Sequence, residues 1–156
     1  MNRSIESALR FVNLTASGLL AGSLGFGEAA LCPGWQNELP RENSRPIDDA
    51  RILGYFNAIG PVALGTAITL AIAGRDRGAG HRILDASSAV GLAGVLAATI
   101  MVTVPINRQI EEHPAADYAS DQSQSLVKNW GRAHAIRTSL GVGAFICAVV
   151  SAVSKK

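Results

Sequence analysis

Residues 129–153 read NWGRAHAIRTSLGVGAFICAVVSAV, with Trp130, Arg132, His134 and Arg137 standing directly ahead of an apolar tract. No charged residue interrupts the chain from Thr138 to Val153. Three earlier tracts share this character: Phe11–Cys32, Ile52–Ala73 and Ala86–Ile106 contain Glu28 as their one charged residue. A helix needs about 20 residues to cross a hydrocarbon core of roughly 30 Å. The first three tracts have that length. The fourth reaches it when it begins near His134, which draws His134 and Arg137 into its outer turns. Helices of a water-soluble bundle keep a polar outer face, whereas these tracts are apolar or small all the way round. The expected fold is all-α: a four-helix transmembrane bundle formed by residues 1–156 as one domain, with two longer extracytoplasmic loops.

Composition points the same way. The chain is 48% hydrophobic and 17% charged with aromatics at only 5%, so its apolar content comes from small and aliphatic side chains rather than from large rings. Arg3 and Arg10 ahead of the first tract resemble the start of a signal peptide. The tract is too long for that, and Leu31 stands before Cys32 where cleavage needs a small residue, so a retained first span is expected. A net charge of +2 gives no reason to expect nucleic acid as a partner. Cys32 and Cys147 fall at different depths, which argues against a disulfide between them.

Loop charge sets the expected orientation, because Lys and Arg are retained on the cytoplasmic side. Arg3 and Arg10, then Arg75, Arg77 and Arg82 of the short second loop, then Lys155 and Lys156 all fall on one side. The other two loops, Pro33–Arg51 and Asn107–Ala133, mix their six basic residues with eight Asp and Glu. Both termini are therefore expected in the cytoplasm. In the short loop, Asp85 with Ser87 and Ser88 reads as a helix cap. In the first tract, Gly18 and Gly22, extended by Gly25, read as a small-residue stripe for close helix packing.

Polar residues from all four tracts gather near the outer end. Glu28 lies one turn from the end of the first, where a carboxylate usually faces a cavity or a partner. Asn57 lies in the outer part of the second, four residues before Pro61, whose missing N–H leaves the Asn57 carbonyl without its helical donor. The third leaves through VPINRQIEEH, where Pro105 has the same effect on Met101 and Asn107 and Arg108 mark the exit. His134 and Arg137 share a face of the fourth. Each has a plain structural reading: Glu28 paired with Arg137, Asn57 bonded to a neighbouring helix, Trp130 in an interfacial belt, Arg108 and Arg132 reaching headgroups, His113 solvated. Their common depth favours one pocket. Metal ligation is weakly signalled, since Glu28, His134 and His113 follow no ligand spacing. Neither a phosphate-binding glycine loop nor a nucleophile elbow is present.

The sequence PINRQI at Pro105–Ile110, a polar loop, and then Trp130, His134 and Arg137 in the pattern W-x3-H-x2-R resemble the anthrone-oxygenase-like family of small four-helix membrane proteins. The likeness in layout covers nearly the whole chain, and Asn107, Trp130, His134 and Arg137 match the motif positions. Glu28 and Asn57 are added on depth and polarity alone. The resemblance implies oxidation of an anthrone to an anthraquinone with O2. An anthrone has an acidic CH2 between two aryl rings, and its anion is electron-rich enough to reduce O2 without a cofactor. In that scheme His134 or Glu28 is the base, Arg137 and Asn107 stabilise the enolate oxygen, and Trp130 and Asn57 bind the substrate. The partners expected are the lipid bilayer and a hydrophobic aromatic molecule, with O2 as co-substrate and homo-oligomerisation left open. Two other readings stay open: a non-catalytic bundle locked or docked through the same polar cluster, and a metal-dependent oxidoreductase with Glu28 and His134 as ligands.

Overall fold

A computed structural model describes residues 2–31, 50–74, 77–112 and 121–154. Helix α1 (Arg3–Phe26) ends in a π turn (Gly27–Leu31), and α2 is Ala50–Ala73. Helix α3 (Ala79–Ala98) continues through a second π turn (Thr99–Thr103) into α4 (Val104–Glu112), and α5 is Asp121–Val153. Among the described residues there is no strand, as the all-α expectation requires. The helices pack as a ring of neighbours, α1 on α2, α2 on α3, α3 on α5 and α5 on α1, which is an up-down-up-down bundle. Both chain termini and the α2–α3 turn share one end, called here the termini end.

The turn between α2 and α3 is short because Gly78 takes φ 88, a left-handed conformation that costs glycine no steric strain. Side chains in the core are small. Ala16, Ala63, Ala67 and Ala144 pack with Leu20, Leu24, Leu92 and Val95, so the helix backbones lie close. At Gly91 an added Cβ would meet the Cβ of Ala144 at 3.0 Å and the carbonyl oxygen of Leu140 at 3.1 Å. Gly18 likewise faces Phe145 at 3.1 Å. Gly22 and Gly25, expected to extend that stripe, have no neighbour within 4 Å of such a Cβ. They make no close packing among the described residues.

The outside of the bundle is greasier than its axis. Phe11 is 71% exposed and Met101 75%, while Asn13 at 2% and Ser17 at 0% are buried. Water would select the reverse; lipid selects this arrangement, provided the inward polar groups are hydrogen-bonded. Asn13 and Ser17 meet that condition: Asn13 Nδ2 donates to the Ala63 carbonyl at 3.0 Å and to Thr66 Oγ1 at 3.1 Å, and Ser17 Oγ donates to the Asn13 carbonyl at 2.6 Å. Among the described residues, three helices are long and apolar enough to cross a membrane, over Gly54–Ala73, Ala79–Gln109 and Ser125–Val153. Of the four spans expected, α1 is thus the exception. It has 24 residues, but Asn13, Ser17 and Ser23 lower its apolar content.

Two boundaries differ from the expected ones. Helix α3 begins at Ala79, so Asp85 lies inside it, 3% exposed, and caps nothing. Its carboxylate accepts two bonds from Arg10, Nη1 to Oδ1 at 3.2 Å and Nη2 to Oδ2 at 3.0 Å. Arg10 also donates to Glu6 at 3.2 Å and to Ser151 Oγ at 3.2 Å, and His81 Nδ1–H donates to the Ser151 carbonyl at 3.1 Å. This network ties α1, α3 and α5 together at the termini end. Helix α5, for its part, is 33 residues long, so His134 and Arg137 sit several turns within it rather than at its start.

Candidate functional site

His134 is the hub of the opposite end. The residue is 6% exposed, and its ring lies parallel to the indole of Trp130, with centroids 5.1 Å apart and an interplanar angle of 5°. The spacing i, i+4 on one helix face brings the two rings together. Arg137 Nη2 donates to His134 Nδ1 at 2.7 Å, and Arg137 Nη1 donates to Thr99 Oγ1 at 3.3 Å. His134 Nε2 bonds the Leu24 carbonyl at 3.2 Å, an oxygen that also accepts from Thr138 Oγ1 at 3.3 Å. Helix α5 is thereby bonded to both α1 and the π turn after α3.

The two π turns flank this hub. A π turn lengthens the backbone bond from i−4 to i−5, and such turns recur where a helix serves a function. In Thr99–Thr103 the cause is local: the Val104 N–H reaches back to the Thr99 carbonyl, and Pro105 follows. A proline ring in a regular turn collides with the carbonyl four residues before it; the widened turn relieves that collision and presents Thr99 to Arg137. On the other side, Gly27 opens the π turn of α1. An added Cβ there would lie 2.8 Å from His134 Nε2 and 3.1 Å from Cε1. The imidazole edge fits against α1 because residue 27 has no side chain.

Glu28 follows Gly27, and its Oε2 is 4.0 Å from His134 Nε2 with the carboxylate side chain 40% exposed. Glu28 is thereby brought beside His134. Asn107 lies on α4, which packs on α5, and its Oδ1 is buried with no hydrogen-bond partner among the described residues. Asn57 does not join the group. It is exposed on α2, because Phe56 and Ile59 on either side turn toward the core. Arg108 and Arg132 are exposed. His113 lies outside the described residues, as do Cys32, most of the first long loop and the stretch 113–120 of the second. Among the described residues no three of His, Cys, Asp and Glu are grouped to hold a metal ion.

Glu28, Trp130 and Arg137 therefore each approach His134, with Asn107 on the adjoining helix. Leu24, Gly27, Thr99 and Thr138 complete the arrangement and escaped the sequence reading. The first acts through a backbone carbonyl, the second through lacking a side chain, and the threonines through hydroxyls indistinguishable in sequence from others in the spans.

A family model described as anthrone oxygenase matches residues 51–147, more than half of the chain. The matched range holds Asn107, Trp130, His134 and Arg137 and excludes α1, with Gly27 and Glu28. No curated protein and no solved structure matches the chain.

Proposed function

The chain belongs to the anthrone oxygenase family, and from that premise we propose that it is a membrane-embedded oxygenase. Its substrate is a flat, hydrophobic phenolic compound of the anthrone type, which enters from the bilayer, and O2 is the co-substrate. The observation that carries this reading is the contact of Glu28, Trp130, His134 and Arg137 at one end of a lipid-type bundle. A carboxylate, an imidazole and a guanidinium within reach of an indole face suit the binding and deprotonation of an acidic aromatic molecule.

The reaction needs a base and a cation. Either Glu28 or His134 removes one proton from the CH2, leaving an anion whose charge is shared with the ring oxygen. The Arg137 guanidinium stabilises that oxygen, and in a site without water one such donor is worth about 3 kcal/mol of barrier. The anion passes one electron to O2, and the radicals combine to form the C–O bond of a hydroperoxide. Loss of the second C–H proton with cleavage of the O–O bond gives the new carbonyl and water. The sum is CH2 + O2 → C=O + H2O, which requires no further reductant. Trp130 already covers the imidazole with one face of its indole, so a flat substrate stacks on the other. The buried Oδ1 of Asn107 is an acceptor waiting for a donor, a role that a phenolic O–H fills.

A second reading has its own support. Each bond described above for His134 and Arg137 joins one helix to another or braces the bond that does, as in a structural lock without catalysis. Turnover and stability measured on the same variant separate the two. With purified protein in detergent and an anthrone, His134→Ala is expected to abolish enzyme-dependent oxygen uptake while the protein stays folded. If uptake by the wild type is negligible and the substitution changes only the melting temperature, the cluster is a lock.

A further inference from the structure

Two residues at the hub are plausible on chemistry alone as the proton acceptor, and the hydrogen-bond directions separate them. We infer, on the basis of the oxygenase reading above, that Glu28 is the base and that His134 is a positioning residue holding Arg137 in place. A guanidinium has N–H donors and no acceptor. At 2.7 Å from Arg137 Nη2, His134 Nδ1 therefore carries a lone pair, and the ring proton resides on Nε2. The Leu24 carbonyl only accepts, so the bond at 3.2 Å runs from Nε2–H to that oxygen. Both ring nitrogens are engaged, and the one lone pair is held by Arg137. A proton placed on Nδ1 would face the N–H of Arg137 and break the bond.

The ring is also held where it is. Trp130 covers one face, and the missing side chain of Gly27 lets the Nε2–Cε1 edge seat against α1. A rotation that freed Nδ1 for the substrate would give up the stack and both hydrogen bonds. The fixed ring in turn fixes Arg137: His134 takes Nη2 and Thr99 takes Nη1, so the planar fork is restrained at two points. Glu28 differs in kind. The two oxygens of a carboxylate offer about four lone-pair sites, so acceptor positions remain beside any bond it makes. Its side chain is 40% exposed, and it lies 4.0 Å from the buried imidazole.

The test uses purified full-length protein, an anthrone and an oxygen electrode, with four variants. His134→Asn keeps an acceptor near the position of Nδ1 and is expected to retain turnover within about tenfold of wild type. His134→Ala falls much further, and added imidazole does not restore it. Glu28→Gln lowers kcat by about 10²–10⁴-fold, the usual scale for a lost general base, with KM little changed. Glu28→Ala regains part of its rate with added formate, which enters the space of the missing carboxylate. If His134→Asn is as inactive as His134→Ala and imidazole restores the latter, His134 is the base. Full activity in Glu28→Gln likewise overturns the assignment while leaving the oxygenase reading intact. A wild type that consumes no oxygen removes both.

Discussion

Replacing Arg137 with lysine is expected to lower the kcat for anthrone-dependent oxygen uptake by about 10²–10³-fold, the scale observed when one oxyanion donor is lost. Lysine keeps the charge. It does not keep the planar fork, which reaches His134 Nδ1 with one arm and Thr99 Oγ1 with the other. A compact ammonium can satisfy one of these acceptors and point elsewhere for the rest, so the charge is no longer fixed where the enolate oxygen forms. KM should change little, because a flat hydrophobic substrate is bound mainly by ring contact. Steady-state kinetics separates this from a general loss of binding. A variant with normal kcat and raised KM would place Arg137 in substrate affinity instead of charge stabilisation.

The largest effect on stability is expected at the other end of the bundle. Asp85→Asn removes the more deeply buried of the two carboxylates paired with Arg10 and leaves only Glu6 on its Nε, and Asp85 and Arg10 have side chains only 3% and 11% exposed. Breaking a buried pair on one side costs about 3–5 kcal/mol, most of it the penalty of the charge left behind. Replacing both partners with apolar residues of similar volume, Arg10→Met with Asp85→Leu, removes that penalty and should recover most of the loss. Thermal unfolding in detergent measures each variant. Turnover per folded molecule should be unaffected in all of them, since the network holds the termini end while the proposed chemistry takes place at the opposite one. An Asp85→Asn protein that melts like wild type would mean that Glu6 and Ser151 suffice for Arg10.

What could be read from the sequence divides along physical lines. Apolar tracts without charge are a strong signal, and the helices, their antiparallel order and the location of Trp130, His134 and Arg137 toward the end opposite the termini followed from them. Which way a residue faces was harder on α2, because that helix is apolar or small on every side and has no polar stripe to orient it. Asn57 was accordingly assigned to the pocket, whereas the packing of Phe56, Ile59 and Ala63 turns it outward. Asp85 resembled a cap because serines follow it. Its true partner, Arg10, lies 75 positions away in sequence, and no local pattern reveals a pairing of that kind. The glycines of α1 misled similarly. Of the stripe Gly18, Gly22 and Gly25, only Gly18 makes a close approach, against Phe145, while the tightest one on this segment occurs at Gly27, where it depends on the imidazole of another helix.

Isotope labelling with ¹⁸O2 tests the oxygenase account most directly. Purified wild-type protein in detergent should form quinone from an anthrone well above the rate of spontaneous oxidation, with one ¹⁸O atom at the former CH2 carbon and the second released as water. Quinone appearing no faster with the protein than without it, or carrying oxygen from solvent, would contradict the account.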